Sequence, residues 1–284
     1  MSNEPLLNVK NLKVTFNTPK GEVNAVRGVS FSLGRERLGI VGESGSGKSQ
    51  TGRAILGLTA ANGRITADEL KFHDVDLANL TPKQWRKVRG ARISMIMQDP
   101  KYSLNPVMTI GDQIIEAYRE HHKVNAREAR HRAIDMLEAV KIRDPERVFN
   151  SYPHEVSGGM GQRVMIAMML IPEPELIIAD EPTSALDVTV QLQVMAILDD
   201  LVRDRGMALI FISHDLHLVS SFCDRVLVMY QGHVVEELAA SALHEAKHPY
   251  TKGLLNCLPK MDGDHSDLPI LEREASWAEG QEPQ

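Results

Sequence analysis

The sequence predicts an α/β protein, a mostly parallel sheet with helices, joined by an antiparallel β-subdomain and an inserted helical subdomain. Three observations carry that reading. Apolar strand-like runs alternate with helix-period segments along most of the chain. One of those runs, Leu38-Gly39-Ile40-Val41, leads straight into a glycine-rich loop and then a helix. A polar helical stretch, from about Asp99 to Pro153, lies between two sheet-like regions. With 284 residues, 43% apolar and 25% charged, the chain has material for one large domain or two modest ones sharing a core.

The elements follow in order. Leu12, Val14 and Phe16 alternate with Lys13 and Thr15, and Val29, Phe31 and Leu33 with Ser30 and Ser32. A period of two gives a sheet one buried and one wet face. Thr18-Pro19-Lys20-Gly21 between them has turn chemistry. After the glycine-rich loop a helix is expected over Gln50 to Gly57. Asn125-Ala126-Arg127-Glu128 reads as a capping box, Asn125 bonding free amides and Glu128 reaching back. Ala126, Ala129, Ala133, Leu137 and Val140 then recur at helical spacing as one apolar face. Sheet character resumes at Glu175 to Asp180, and a helix follows with Val194, Ile197, Leu198, Leu201 and Val202 on one face, ended by Gly206. Met207 to Ile212 reads as another buried strand, closing on Ser213-His214-Asp215. Val226 to Tyr230 and His233 to Glu236 read as a hairpin around Gln231-Gly232.

Charge narrows the function classes. Lys and Arg total 32 against 38 Asp and Glu, a net charge of -6, so nothing suggests nucleic-acid binding by bulk positive charge. Residues 259–284 hold seven acids and two bases, a balance of -5, which leaves -1 for the other 258 residues. Such a tail reads as a solvated or partner-contacting extension. Cys223 and Cys257 are too few for a disulfide framework or a four-thiolate metal site, and fit a reducing compartment. The start, MSNEPLLNVK, has no readable secretory signal. The longest apolar run, Val164 to Ile171, has eight residues. A membrane span needs ~20, so the chain is not expected to cross a bilayer by itself.

Three stretches carry chemistry. Gly42-Glu43-Ser44-Gly45-Ser46-Gly47-Lys48-Ser49 matches G-x-x-x-x-G-K-S at a strand-to-helix junction. Its inward amides, with the helix N-terminus and the following Gln50, make a phosphate cradle. Lys48 is expected to reach the β- and γ-phosphates and the Ser49 hydroxyl to ligate Mg²⁺; the bland alternative is a structural turn. Asp180-Glu181 ends a buried strand 132 residues beyond Lys48, at the sheet edge where such folds bind ligands. Asp180 would hold Mg²⁺ through water and Glu181 would polarise or deprotonate an attacking water; alone, the pair reads as well as a helix cap. Ser157-Gly158-Gly159-Met160-Gly161-Gln162 opens a helix with Ser157 as N-cap, a second anion cradle. One site does not need two cradles, so this one serves a second nucleotide and requires a partner subunit; alone, it also reads as a flexible loop.

Together these residues resemble the ATP-binding cassette ATPases. The resemblance implies a P-loop NTPase (RecA-like) core in a domain of residues 1–258, with the helical subdomain inserted at about 99–158 and the acidic tail at 259–284. It implies ATP and Mg²⁺ as ligands, Phe16 as the aromatic stacked on adenine, and Gln98 as the glutamine linking Mg²⁺ and water to the helical subdomain. It implies Ser184-Ala185-Leu186-Asp187 as a dimer-contact loop and His214 as the γ-phosphate-contacting histidine. The catalytic set is then Lys48, Gln98, Glu181 and His214; the metal set is Ser49, Gln98 and Asp180. Singly, Phe16 reads equally as core, and a lone His or Gln as structural.

Met97-Gln98-Asp99-Pro100, Ser103-Leu104-Asn105-Pro106, Asp180 through Asp187 and His248-Pro249-Tyr250-Thr251 resemble the subfamily serving oligopeptide, dipeptide and nickel importers. This implies a second ATPase subunit, identical or paralogous, two transmembrane permease subunits and, indirectly, a periplasmic or extracellular solute-binding protein. It also implies a peripheral place on the cytoplasmic face of the membrane and no nucleic acid. Two departures stand out. Only Cys257 follows the His-Pro-Tyr-Thr stretch, so no iron–sulfur cluster is expected. Gly161 occupies a signature position usually polar or basic; a helical glycine costs ~0.5–1 kcal/mol against alanine, and a weakened helix is expected to slow the partner's ATP site. The competing reading is a soluble cassette ATPase acting on nucleic acid or ribosomes, but its usual second cassette, coiled coils or basic arms are absent from the sequence. No Asn-Lys-x-Asp guanine-reading motif occurs. His214 and His217, at i,i+3, read as one γ-phosphate histidine and one surface residue rather than a metal pair, and His121, His122 and His244 as solvated.

Overall fold

Apolar residues at every second position of the first strands, and in unbroken runs in the later ones, sort the chain into antiparallel and parallel sheet. The computed structural model describes residues 4–98, 103–184, 186–256 and 277. Asp99, Pro100, Ala185, Cys257 and, apart from Trp277, the acidic tail lie outside the described residues. Internal contacts divide the chain into two units, Met1–Asn79 with Ile210–Gln284, and Leu80–Leu209.

The first unit begins with β1 (Leu7–Thr18) and β2 (Gly21–Leu33), a hairpin whose register pairs Thr18 with Gly21 and Val14 with Val26. Leu12, Val14, Val29 and Leu33 are buried as the period of two requires, whereas Phe16 is only half-buried. β3 (Arg37–Val41) is buried from Leu38 onward and passes through the glycine-rich loop into α1 (Lys48–Ile55). The helix starts two residues before the expected Gln50, because Gly47 in a left-handed conformation (φ 100°) is its N-cap. β4 (Gly63–Thr66), β5 (Glu69–Phe72) and β6 (Val75–Asp76) complete the antiparallel sheet, in order β2-β1-β5-β6 with β4 also paired to β1.

The second unit contains α2 (Pro82–Val88), β7 (Ile93–Ile96), α3 (Ile110–Arg119), α4 (Ala126–Ala139), α5 (Pro145–Phe149), α6 (Gly158–Leu170), β8 (Leu176–Asp180) and α7 (Val188–Arg205). β7 and β8 pair in parallel, Ile93 with Leu176 and Ile96 with Ala179. Every residue of both is buried, which is why they read as continuous apolar runs rather than alternations. Caps start the helices: Thr81 forms a full capping box with Gln84, and the Asn125 side chain accepts the Glu128 amide at 2.9 Å. Ala129, Ala133, Leu137 and Val140 are fully buried, but Ala126 is exposed, so the apolar face of α4 begins a turn later than expected. Phe149 fills the groove beside Gly111, where a Cβ would stand 2.5 Å from its ring. His121 and His122, expected to be solvated, are instead half-buried. The His122 ring stacks on Tyr118 at 4.4 Å, and the His121 ring lies against Gly90, so burial pushes the His121 pKa down. His244, as expected, is exposed.

β9 (Ala208–Ser213) starts in the second unit and ends in the first, which continues with α8 (Leu216–Phe222), β10 (Arg225–Tyr230), β11 (His233–Ala239) and α9 (Pro249–Asn256). β10 runs parallel to β3, Val226 beside Gly39, and antiparallel to β11 across the Gln231-Gly232 tip. A Cβ on Gly39 would come within 2.2 Å of Val219 Cγ1, so α8 lies directly on β3. Cys223 is buried there, and desolvation pushes its thiol up to about 12. Among the described residues no helix is long and apolar enough to cross a membrane.

Candidate functional site

In the first unit, β3 delivers Gly42 and α1 begins at Lys48, so the intervening loop must turn sharply around its own backbone. Gly42 (φ 151°) leaves no room for a side chain: a Cβ would lie 2.1 Å from the Met229 carbonyl oxygen. At Gly47 (φ 100°) it would lie 2.5 Å from the Ala25 carbonyl oxygen. Positive φ and crowding together require glycine at both positions. Lys48 is 5% exposed, and its Nζ donates to the carbonyls of Gly42 and Glu43, each at 2.8 Å. The Ser46 amide donates to the Glu43 carbonyl at 3.2 Å, and the Thr51 hydroxyl and amide both donate to the Gly47 carbonyl. The hairpin tip contributes the Gly232 amide, which donates to the Ser46 carbonyl at 3.0 Å. From the far end of the chain, the Tyr250 hydroxyl accepts the Glu43 amide at 3.0 Å.

Three polar atoms of this loop and helix are buried without a hydrogen-bond partner: Ser46 Oγ and Gln50 Oε1 near the loop, and Arg53 Nε in the last turn of α1. An orphaned hydroxyl at the mouth of a helix N-terminus fits a phosphate oxygen, and an orphaned amide oxygen fits water around a cation. A cavity of ≈ 230 Å³ opens beside the loop, lined by Glu43, Ser44, Gly45, Ser46, Tyr230 and Gln231. The Ser49 side chain is half-buried on the first turn of α1. His214 is exposed just past the end of β9, followed by Asp215, which caps α8 by accepting the Leu218 amide at 3.0 Å. Phe16, near the end of β1, packs by its ring edge against Gly63.

In the second unit, β8 ends on Asp180, 3% exposed. Glu181 follows in a left-handed conformation (φ 47°), a backbone strain of the kind that persists where surrounding structure holds it. The Ser184 amide and hydroxyl both donate to the Glu181 carbonyl, closing the turn. Gln98, 83 residues earlier, donates from Nε2 to Glu181 Oε2 at 3.2 Å, so two of the expected catalytic residues meet. Ser157 caps α6 by accepting the Met160 amide at 3.4 Å; Gly158 is exposed and Gly159 is pressed against Val190 of α7, where a Cβ would stand 2.7 Å from Cγ1. Gly161 is buried one turn further on. Gln162, 1% exposed, donates to the Pro182 carbonyl at 2.5 Å and ties α6 to the turn that carries Glu181.

Sequence reading missed three of these contributors. Gln162 stands inside a quoted motif but without a role, since only the fold supplies its acceptor. Gly232 was visible as a hairpin turn, not as a donor to the loop. Tyr250 was visible as part of a tail marker, and 207 residues separate it from Glu43. Among the described residues no three His, Cys, Asp or Glu side chains group as a metal site. Ser49 in the first unit, and Gln98 and Asp180 in the second, each carry an oxygen of the hard kind that Mg²⁺ takes.

The model of the ABC transporter family matches residues 26–184 of this chain. The oligopeptide transport ATP-binding protein OppD of Escherichia coli K12 is 50% identical over 263 residues, covering 92% of this chain and 78% of that protein. The dipeptide transport ATP-binding protein DppD of Bacillus subtilis is 46% identical over 268 residues, covering 93% and 80% respectively. Among solved structures, the dimeric ATP-binding cassette MJ0796 in a post-hydrolysis state with ADP and Pi is similar at a TM-score of 0.74 and 27% identity, over 82% of this chain and 98% of that one. The chain belongs to the ABC transporter family and is one of its ATPases.

Proposed function

We propose that this chain is the ATP-hydrolysing subunit of a peptide importer, peripheral on the cytoplasmic face of the membrane. It would work beside a second ATPase subunit under two permease subunits, with a solute-binding protein delivering the cargo. The observation that carries the nucleotide part is the loop from Gly42 to Ser49, closed around a buried Lys48 and presenting an orphaned Ser46 hydroxyl. The peptide part is supported by the relatives' names alone, oligopeptide and dipeptide transport ATP-binding proteins.

In this reading the loop amides and Lys48 bind the β- and γ-phosphates of ATP, Phe16 stacks on the adenine and His214 touches the γ-phosphate. Ser49, Gln98 and Asp180 would hold Mg²⁺, which when bound neutralises charge on the phosphate oxygens. Glu181 orients and deprotonates the attacking water, its carboxylate held by the Gln98 hydrogen bond. The water oxygen bonds to the γ-phosphorus, the bond to the bridging oxygen breaks, and ADP and phosphate result. The Ser157 to Gly159 segment closes on the nucleotide held by the other subunit. Two ATP molecules thus join two subunits until hydrolysis releases them, and the helical segment around α3 to α6 passes that motion to the permeases.

The test is ATP titration of the purified full chain with light scattering. The native chain is expected to bind ATP, and Lys48→Ala to bind it at least about tenfold more weakly. Equal affinity of the two proteins overturns the phosphate role. For the cargo, complexes reconstituted in proteoliposomes are expected to hydrolyse ATP faster when the binding protein carries peptide; no response to any peptide overturns that part.

A further inference from the structure

We infer that Tyr250 is a positioning residue for the phosphate loop, acting through the peptide unit between Gly42 and Glu43. That peptide is held at both ends. Its N–H, on Glu43, is donated to the Tyr250 hydroxyl at 3.0 Å, and its C=O, on Gly42, accepts Lys48 Nζ at 2.8 Å. Rotation of the peptide plane would break both bonds at once. Accepting the N–H also polarises the amide and makes its carbonyl a better acceptor for the Lys48 ammonium. The tyrosine hydroxyl therefore fixes the direction from which Lys48 is presented.

Tyr250 is itself rigidly placed. Its side chain is fully buried, its ring lies 4.5 Å from that of Tyr230 and 6.0 Å from that of Trp277, and its amide donates to His248 Nδ1 at 3.2 Å. The amides of Lys247 and His248 are both donated to the Glu236 carboxylate on β11. The start of α9 is thus fastened to β11, and Tyr250 carries that anchorage to the loop. Sequence marked His248-Pro249-Tyr250-Thr251 as a family tail; the geometry makes His248 and Tyr250 part of the nucleotide site's support, and gives the Thr251 hydroxyl no bond in it. This inference rests on the loop being the ATP site.

The experiment compares the full chain with Tyr250→Phe, which keeps the buried ring and removes the hydroxyl that accepts the Glu43 amide. Net loss of one such hydrogen bond corresponds to about three- to tenfold. ATP affinity is expected to fall, and KM to rise, by about that factor, with kcat changed less than about twofold. Thr251→Val is the control: Thr251 is equally buried, its hydroxyl has no hydrogen-bond partner, and its loss is expected to leave ATP affinity unchanged. Glu236→Ala loosens the anchorage without touching Tyr250 and is expected to weaken ATP binding in the same direction. Native ATP affinity in Tyr250→Phe and Glu236→Ala overturns the inference, as does an equal loss in Thr251→Val. If the native chain itself does not bind ATP, the reading of the loop falls, and this inference with it.

Discussion

At the scale of single residues, backbone carbonyls hold Lys48, whereas a side chain, Gln98, meets Glu181. Lys48, Ser49, Asp180 and Glu181 were legible because their pattern is local: a loop of set length and an acidic pair at a strand end. The Gln98 to Glu181 hydrogen bond was not, since no spacing rule joins residues on separate strand ends; only the parallel pairing of β7 and β8 brings them near. On the proposed mechanism, Glu181→Gln keeps the hydrogen-bonding shape but cannot accept a proton. Its hydrolysis rate is expected to fall by about 10²–10⁴, leaving ATP bound and the ATP-joined dimer long-lived in light scattering. Rapid dissociation of that variant in saturating ATP would remove Glu181 from the role of base.

At the scale of elements, helix starts were readable to within a turn wherever a capping side chain announced them. Asn125 does so for α4 and Ser157 for α6, each accepting an amide three residues on. The misses have physical causes. The first turn of α1 is set by a left-handed glycine, which carries no side-chain signal, and His121 and His122 look polar in sequence yet pack against Gly90 and Tyr118. The two caps also separate structure from function. Asn125→Ala removes a cap worth about 1 kcal/mol, and is expected to lower the thermal midpoint by about 2–4 °C for a protein of this size class while leaving ATP affinity alone. A change in ATP affinity in that variant would mean that α4 does more than support the fold.

At the scale of the whole molecule, the period-two strands, the buried parallel runs and the glycine-rich junction were enough to read the α/β class, while long-range fastenings were invisible. Arg225 is one. It reaches from the start of β10 to Glu36, with Nη2 2.7 Å from Oε1 and Nε 3.3 Å from Oε2, and to the Ser32 carbonyl and Glu237. Burial of Glu36 alone would raise its pKa, but the Arg225 hydrogen bonds, the Gly34 amide and the Arg225 charge outweigh it and hold the carboxyl below its ordinary 4.5. A lowered folded-state pKa means stabilisation present above the unfolded value and lost as pH falls through the folded one. The native chain is therefore expected to lose this contribution below about pH 4.5. At pH 7, Glu36→Gln is expected to unfold about 2–4 °C lower, and the difference should vanish on acidification. A gap between the two proteins that does not narrow at all as the pH is lowered below 4.5 would show that the carboxylate charge is not its source.

The left-handed backbone at Glu181 sets the molecule at odds with itself. Glycine or asparagine would sit more comfortably there, so drift toward a sturdier fold pulls against the carboxylate that the proposed reaction uses. A chain relaxed at this position would be a more durable protein and a worse engine.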